Sequence, residues 1–261
     1  MSEKWFSSST PGHFYAVGIG PGSADMITIR ARNIIESADV ILAPRSRLSE
    51  TSMALDTVKP FIGCQRIEEC VYPMSRDVKA TGEFWSNVAN EVVSWCAEGL
   101  SVVQITVGDP LIFSTSCYLL NALEGRMPFD TIHVVSGVSA FQAASAIFQE
   151  ALTIQEDRLM LMPATDLARV AEALDRCETL VLYKAGQRID ALCALLEQKG
   201  YGESARLVCY AEDSTRQYTT RTLRNAVGGK HGYMSTVIVH LKRAGWNDVV
   251  VSDDSEIVEC I

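Results

Sequence analysis

The sequence predicts an α/β protein built from two α/β domains, with a mainly parallel first sheet and a mixed second sheet. Short apolar runs alternate with stretches of helical period along most of the 261 residues, which is typical of successive βα units. A polar stretch over residues 149–157 interrupts this series. It places the domain boundary near residue 150 and predicts domains over 1–150 and 151–261, with a ligand cleft between them.

In the first domain, apolar runs predict strands and i, i+3, i+4 spacings predict helices. Ala31, Ile34, Ile35 and Ala38 share one helix face, and a longer apolar stripe ends near Gly99, a residue that favours a helix C-terminus. The predicted strands cover 14–17, 40–43, 102–107 and 133–135, and the predicted helices cover 31–38, 84–96, 114–123 and 139–148.

The second domain begins in the same way and then changes character. Apolar runs predict strands at 159–162, 180–183 and 206–210, and the spacing of Ile189, Leu192, Cys193 and Leu196 predicts a helix. Residues 217–223 and 236–241 are rich in β-branched side chains and have no long helix between them. These two strands are therefore predicted to be antiparallel and hairpin-linked, through Gly228-Gly229 or Gly232.

Composition and charge exclude several classes of function. The formal net charge of −9 disfavours nucleic acid and anionic membranes as partners, and no apolar run approaches the roughly eighteen residues of a membrane span. The eight cysteines form no C-x-x-C pair and lack metal-ligand spacing to the histidines, so no metal site is expected. We expect a soluble cytoplasmic protein.

Three loops stand at predicted carboxyl ends of strands, where open parallel sheets bind ligands. They are Gly18-Ile19-Gly20-Pro21-Gly22, Gly108-Asp109-Pro110 and Ser136-Gly137-Val138-Ser139. Each has a simpler interpretation, as a tight glycine turn, an Asp-Pro turn and a helix N-cap. The first loop is not a standard dinucleotide site, because Ser23 replaces the third small residue and Pro21 has no backbone N–H.

Taken together and in order, these motifs resemble the S-adenosylmethionine-dependent tetrapyrrole methylase family. The resemblance spans about residues 14–241 and also includes Asp25-Met26-Ile27-Thr28 and Ala38-Asp39-Val40-Ile41. Within the family, Gly108–Thr115 followed by Tyr118-Leu119, together with the Phe141-Gln142 helix, is most similar to the branch that methylates C(20) of precorrin-2 in vitamin B12 biosynthesis. Ser136 and Asp213 depart from the family pattern, which usually has proline and often arginine there.

The resemblance implies the class III methyltransferase fold, a homodimer, and S-adenosylmethionine bound in the interdomain cleft as methyl donor, with no protein-bound metal. The implied cofactor-binding residues are Gly20, Pro21 and Gly22 at the floor of the cleft; Gly108, Asp109, Ser114 and Thr115 at the methionine portion; Val138, Ser139, Tyr183, Lys184, Ala211 and Glu212 at the adenosine; and Thr236 and Val237 closing the site.

The implied reaction is direct displacement at the donor's methyl group, for which the protein mainly positions the reactants. Asp109 and Glu212 are candidate catalytic bases for removing the proton from the methylated carbon. The tetrapyrrole substrate carries several carboxylates, so local cations must overcome the net charge of −9. The candidates for substrate binding are Arg45, Arg47, Lys184 and Arg188, and of two further cations, Arg76 and Lys79, we expect only surface exposure.

Four alternatives remain open. In the first three, the methyl acceptor is another carbon of the corrin precursor, a protein as in the diphthine-forming branch, or ribosomal RNA. The acidic net charge disfavours ribosomal RNA. In the fourth, the chain is a non-catalytic tetrapyrrole- or S-adenosylmethionine-binding module. The sequence leaves open whether the substrate carries cobalt.

Overall fold

The computed structural model describes residues 8–46, 51–72 and 78–241. The chain groups into two compact units, the first formed by residues 1–147 and 208–218 and the second by 148–207 and 219–261. The domain limits of 1–150 and 151–261, and a ligand cleft between the domains, stay predictions.

The first unit contains a five-stranded sheet in the order β3-β2-β4-β1-β5. Every pairing described in it is parallel, with Tyr15 opposite Val103 on one side and His133 on the other. The mainly parallel first sheet is therefore confirmed. Its strands are β1 (Phe14–Gly18), β2 (Val40–Ser46), β3 (Arg66–Tyr72), β4 (Val102–Thr106) and β5 (Ile132–Val135).

Helices connect these strands, and α1 and α2 begin at residues whose side chains cap them. The Thr28 hydroxyl accepts from the amide of Ala31 at 3.1 Å, and the Ser52 hydroxyl accepts from Leu55 at 3.2 Å. The helices are α1 (Ile29–Ser37), α2 (Met53–Val58), α3 (Val78–Ala97), α4 (Ser116–Leu123) and α5 (Ala140–Phe148), with 3-10 turns at Ala24–Met26, Lys59–Phe61 and Phe129–Thr131.

Both faces of the first sheet are buried, as expected for parallel strands covered by helices. Along β1, Tyr15 and Val17 belong to a core with residues of α1 and α2, whereas Phe14 and Ala16 belong to a core with residues of α3 and α4. This alternation explains why β1 reads as a continuous apolar run. It also leaves the carboxyl ends of the strands as the edge from which loops emerge.

A second, mixed sheet has the strand order β6-β7-β10-β8-β9. β6 pairs with β7 in parallel, and β10 pairs with β7 in antiparallel. The prediction of a mixed second sheet is confirmed. Its strands are β6 (Leu159–Pro163), β7 (Thr179–Tyr183), β8 (Ala205–Cys209), β9 (Tyr218–Thr220) and β10 (Ser235–His240), and its helices are α6 (Leu167–Ala173) and α7 (Ile189–Gln198), with 3-10 turns at Gly186–Arg188 and Leu223–Ala226.

The predicted hairpin between the last two strands is wrong. β8 lies between β9 and β10 in the sheet, so the two strands are not neighbours. β9 covers only 218–220 and is largely exposed, whereas β10 is buried. The β-branched residues predicted strands correctly, but partner choice depended on the buried β8, which offers β10 more apolar contact than β9 does.

Three elements were not predicted: α2, β3 and α6. α2 and α6 are short, and β3 is a half-exposed edge strand with charged residues at positions 66, 68 and 69. Periodicity over such short or polar stretches is weak. Within the part of the chain that the structure describes, no helix has both the length and the apolarity needed to cross a membrane.

Candidate functional site

The loops after β1, β4 and β5 meet at the carboxyl edge of the first sheet. The amide of Gly108 donates to the carbonyl of Gly20 at 2.7 Å, and the amide of Gly137 donates to Oδ2 of Asp109 at 3.1 Å. These three strands are adjacent in the order β4-β1-β5, so their ends emerge side by side. The structure thus brings together the three motifs that the sequence analysis singled out.

Glycine is required where these loops touch. A Cβ atom on Gly137 would lie 2.3 Å from the carbonyl oxygen of Gly108, and one on Gly18 would lie 2.5 Å from the same oxygen. Gly108 itself has a φ of +78°, yet a Cβ there would meet nothing within 4 Å. Its backbone therefore packs on the neighbouring loops on one side and borders open space on the other.

Asp109 holds two loops in place. Oδ1 accepts from the amide of Leu111 at 2.9 Å, and Oδ2 accepts from Gly137. Both oxygens of the carboxylate are thereby used in backbone hydrogen bonds, which gives Asp109 a structural task in addition to any contact with a ligand.

Ser139 stands at the N-cap position of α5, as its place in the sequence predicts. Oε1 of Gln142 accepts from the Ser139 amide at 2.9 Å, which is half of a capping box. Ser139 is 3% exposed, and Val138 beside it is half-buried. This interaction fixes the start of α5, directly after the loop in which Gly137 packs against Gly108.

A polar group lies behind the loop that follows β4. Oγ of Ser114 lies 3.0 Å from Oγ1 of Thr106 and accepts from the Ser116 amide at 3.1 Å. Nearby, the Tyr72 hydroxyl accepts from Nε2 of Gln104 at 3.4 Å. Ser114 is thus held from the sheet side by the Thr106 hydroxyl.

The loop over residues 210–217 also belongs to the first unit. The carbonyl of Ala211 would lie 2.6 Å from a Cβ on Gly22, and Oγ1 of Thr57 donates to the Gly22 carbonyl at 3.3 Å. Glu212 adopts a φ of +62°, and its amide donates to Oε1 of Gln217 at 2.7 Å. Gly22 and Glu212, both predicted as cofactor contacts, are therefore close together.

Asp213 organises this loop electrostatically. Its carboxylate accepts from the side chains of Thr215 and Arg216 and from both of their amides. Burial alone would raise the pKa of Asp213, but the hydrogen bonds from Arg216 and Thr215 lower it well below its usual range. The same ion pair raises the pKa of Arg216, whose guanidinium lies 4.8 Å from the Tyr210 ring.

A polar cavity of about 430 Å³ opens between this loop, the loop after β1, and α2. Three carboxylates and one guanidinium line it, so its surface is net acidic. The lining residues are Gly22, Ser23, Ala24, Met53, Asp56, Thr57, Pro60, Glu212, Asp213, Ser214, Thr215 and Arg216.

In the second unit, four predicted contacts come together on neighbouring strands. Thr236 of β10 lies opposite Tyr183 of β7, and Val237 lies opposite Leu182. Lys184, just beyond β7, has a φ of +60°, and its Nζ lies 5.3 Å from the centre of the Tyr233 ring. Arg188 is exposed in the 3-10 turn before α7.

One predicted substrate cation, Arg45, lies on β2. Nε of Arg45 lies 2.6 Å from Oε2 of Glu69 on β3, and the Arg45 side chain is 28% exposed. Arg47 lies outside the described residues. Arg76 does too, whereas Lys79 is exposed at the start of α3, as expected.

Tyr72 and Gln104 are parts of this region that sequence reasoning missed. Gln104 carried one detectable signal, a polar side chain within the apolar run Val102–Val107. Tyr72 carried none, because β3 itself was not predicted. Among the described residues, no three His, Cys, Asp or Glu side chains are grouped as metal ligands.

Solved structures that share this fold include tetrapyrrole methyltransferases. The chain matches a cobalt precorrin-4 methyltransferase with a TM-score of 0.67 at 19% identity, covering 89% of this chain and 97% of the other. It matches the uroporphyrin-III C-methyltransferase from Thermus thermophilus, solved with S-adenosylhomocysteine, with a TM-score of 0.58 at 20% identity, covering 87% and 96%.

The sequence comparisons define the family. The model of the tetrapyrrole (corrin/porphyrin) methylases matches residues 13–228, and the chain belongs to this family. It is 35% identical to the cobalt-precorrin-2 C(20)-methyltransferase of Salmonella typhimurium over 77% of this chain and 84% of that protein. It is also 28% identical to the precorrin-4 C(11)-methyltransferase of Mycobacterium tuberculosis, over 82% and 81%.

Proposed function

We propose that the protein transfers a methyl group from S-adenosylmethionine to the C(20) meso carbon of precorrin-2 or of cobalt-factor II. The contact of the loops at 18–22, 108–115 and 137–139 carries the proposal. It is supported by the 35% identity to a C(20)-methyltransferase. We further propose that the enzyme is a cytoplasmic homodimer.

The loop after β4 fits the amino-acid end of such a donor. Gly108 borders open space, which lets a ligand approach its backbone, and Thr115, later in the same loop, is half-buried. A carboxylate requires hydrogen-bond donors, which hydroxyl and backbone N–H groups supply. We assign Gly108, Asp109, Ser114 and Thr115 to the methionine portion.

The remaining contacts follow from the family resemblance. Gly20, Pro21 and Gly22 would shape the floor of the donor site, and Thr236 and Val237 would close it. The adenosine would contact Val138, Ser139, Tyr183, Lys184, Ala211 and Glu212.

When bound, the donor supplies a methyl group activated by the positive charge of its sulfonium. The chain's own residues have to hold the two reactants in line and exclude water, which contributes roughly 7–11 kcal/mol in well-oriented reactions. The interlocked glycine loops suit this positioning task because packing and hydrogen bonds restrict their backbones. They would keep the donor site in one geometry between turnovers.

A base is needed to take the proton from the methylated carbon. Asp109 already accepts two backbone hydrogen bonds, so its first role is to hold the loops. Glu212 lines the acidic cavity. Its backbone amide, not its carboxylate, makes the hydrogen bond to Gln217. Of the two candidates, Glu212 is the better placed to accept a proton.

The substrate's carboxylates require cations on a chain with a net charge of −9. We assign this role to Arg45, Arg47, Lys184 and Arg188. Arg45 is pre-oriented by Glu69, whose Oε2 lies 2.6 Å from the Arg45 Nε, and the planar guanidinium is suited to carboxylates.

A second candidate is methylation at another carbon of the corrin precursor. The 28% identity to a C(11)-methyltransferase over 82% of the chain favours it, because donor site and fold are shared across the family.

The decisive experiment is anaerobic incubation with S-adenosylmethionine and either metal-free precorrin-2 or its cobalt form, with mass and NMR analysis of the product. One added methyl at C(20) is expected, and the substrate that reacts settles the cobalt requirement. A methyl at another carbon would support the second candidate. Donor binding without transfer to either substrate would overturn the C(20) assignment.

A further inference from the structure

The loop after β4 exposes two apolar side chains. Leu111 is 57% exposed and Phe113 is 44% exposed, whereas Ile112 between them is half-buried. No Asp, Glu, Lys or Arg occurs from residue 110 to residue 123, although charged residues make up 21% of the chain. We call Leu111 and Phe113 the apolar pair. It lies on an uncharged stretch that directly follows the Gly108-Asp109-Pro110 motif.

The backbone on both sides of Phe113 is held in place. The Leu111 amide donates to Oδ1 of Asp109 at 2.9 Å, and Oγ of Ser114 lies 3.0 Å from Oγ1 of Thr106. Between these two contacts Phe113 adopts a φ of +51°, a left-handed conformation that residues with bulky side chains rarely adopt. This conformation costs free energy, and it leaves an aromatic ring partly in solvent. Contact with a ligand explains that arrangement better than core packing does.

The geometry of methyl transfer brings the acceptor to this loop. In a direct displacement the attacking atom approaches to about 3–3.5 Å from the group that is transferred. The proposed function assigns residues 108, 109, 114 and 115 to the methionine portion of the donor, which carries the methyl group. The acceptor therefore has to come close to the same loop, where the apolar pair is exposed.

A cation lies at the same edge of the sheet. β2 and β4 are neighbours, and Leu42 of β2 lies opposite Gln104 of β4. Three residues further along each strand are Arg45 and Val107, and Val107 directly precedes the loop that carries the apolar pair. An arginine side chain binds carboxylates, and exposed apolar side chains favour contact with apolar surface. This edge therefore suits a ligand with apolar ring faces and carboxylates at its periphery.

We propose that the apolar pair packs against a face of the tetrapyrrole ring system while Arg45 binds a carboxylate at its periphery. Leu111 and Phe113 are then substrate-binding residues that orient the acceptor carbon towards the donor methyl group. This inference rests on the proposed function, since it takes a tetrapyrrole as the acceptor. It adds two residues to the substrate site and assigns them to the ring rather than to its carboxylates.

The test compares binding of acceptor and donor-site ligands to the full chain. Anaerobic fluorescence titration without donor, with metal-free precorrin-2 and with cobalt-factor II, gives the affinity for the tetrapyrrole. Calorimetry with S-adenosylhomocysteine gives the affinity of the donor site. Phe113→Ala should weaken the tetrapyrrole about tenfold, equivalent to about 1.4 kcal/mol, and change S-adenosylhomocysteine less than about twofold. Equal loss for both ligands, or no loss for the tetrapyrrole, would overturn the proposal.

Phe129→Ala is the matched control. Phe129 is 94% exposed and lies in the 3-10 turn before β5, at the amino edge of the same sheet. This variant removes an exposed phenylalanine ring from the opposite edge and should bind both ligands as the wild type does. Phe113→Tyr keeps a flat ring and should retain tetrapyrrole affinity within about twofold. A loss in Phe129→Ala equal to that in Phe113→Ala would contradict the assignment to the apolar pair.

Two substitutions at the same position separate binding from folding. Phe113→Ala and Phe113→Gly both remove the ring, but glycine adopts a φ of +51° without steric cost. Phe113→Gly should therefore unfold at a higher urea concentration than Phe113→Ala, while both lose the same tetrapyrrole affinity. A loss of affinity that followed the stability of the variants instead of the absence of the ring would show a structural role and overturn the proposal.

Salt concentration separates the ring face from the carboxylates. Salt screens the attraction between Arg45 and a carboxylate, whereas apolar contact involves no charge. Raising sodium chloride from about 50 mM to about 300 mM should reduce the loss of tetrapyrrole affinity in Arg45→Ala and leave that in Phe113→Ala unchanged. If the loss in Phe113→Ala fell in parallel, the contact would be electrostatic and the proposal wrong.

Wild-type binding distinguishes this proposal from the proposed function. If the wild type binds S-adenosylhomocysteine but neither tetrapyrrole, the proposed acceptor is wrong, and the role of the apolar pair fails with it. If the wild type binds a tetrapyrrole and Phe113→Ala binds it equally well, only the role of the apolar pair is overturned. Sedimentation of Phe113→Ala completes the test, since dissociation of an oligomer without selective loss of tetrapyrrole would assign the apolar pair to contact with a second copy of the chain and overturn the proposal.

Discussion

The carboxylate of Asp109 and the amide of Gly137, 3.1 Å apart, tie the loop after β4 to the loop after β5. The same carboxylate accepts from Leu111 within its own loop. Asp109→Asn replaces one of these two acceptor oxygens with a donor group and leaves one backbone N–H unsatisfied. We expect the free energy of unfolding to fall by roughly 1–3 kcal/mol, measured by urea titration. Asp175→Asn, at an exposed position, is the control and should change it by less than about 0.5 kcal/mol.

A methyl group at Gly137 should be poorly tolerated. It would lie 2.3 Å from the Gly108 carbonyl, so the loops must separate, and we expect Gly137→Ala to cost about 1–3 kcal/mol or more and to weaken binding of S-adenosylhomocysteine. The matched control is Gly82→Ala in α3, where a Cβ meets nothing within 4 Å and alanine favours the helix by about 0.5–1 kcal/mol. Thermal unfolding that moved in the same direction for both variants would contradict the close contact.

The stacked pair His13 and His133 predicts a pH dependence of stability. Their rings lie 5.1 Å apart, with Nδ1 of His13 2.8 Å from Nε2 of His133, and Tyr15 stacks on His133 at 4.7 Å. Burial and the charge of His13 lower the pKa of His133, against the opposing effect of Asp130.

A lowered pKa in the folded state means that the unfolded chain binds the proton first as pH falls below about 6.5. The contribution of His133 is therefore fully present above that pH and is lost as pH falls towards the lowered folded pKa. We expect the melting temperature to drop between pH 7 and 5.5 and the drop to shrink in His133→Asn. The control is His231→Asn, which removes a ring that hydrogen-bonds to the Ala226 carbonyl. Its melting temperature should fall by as much as that of the wild type.

The Arg45–Glu69 pair predicts a selective effect on the tetrapyrrole. Replacing Arg45 and Arg47 by alanine should raise KM for the tetrapyrrole at least about tenfold, because charge-assisted bonds to its carboxylates are lost, and leave KM for S-adenosylmethionine nearly unchanged. Arg66→Ala, which breaks the exposed pair with Glu68 on β3, is the control and should alter neither constant. Equal loss of both affinities in the double variant would contradict the assignment.

Much of the fold was predictable because local patterns and burial agree. The residues predicted to form the buried face of α7, Ile189, Leu192, Cys193 and Leu196, are all buried, and β1 and β4 begin where their apolar runs begin. The ordered glycine motifs predicted the family, and the family model matches over residues 13–228. What failed was the partner of β9, since pairing in a sheet is decided by strands distant in sequence.

The sequence alone determined the α/β class, the order of most elements and the loops that meet at the carboxyl edge of the first sheet, because periodicity and glycine chemistry are local properties. Only the tertiary structure decided which backbones touch and which polar groups are buried. That Nε2 of Gln104 lies 3.4 Å from the Tyr72 hydroxyl depends on two strands far apart in the chain. Hydrogen bonds of this kind act only within about 3.5 Å, and folding alone brings such groups to that distance.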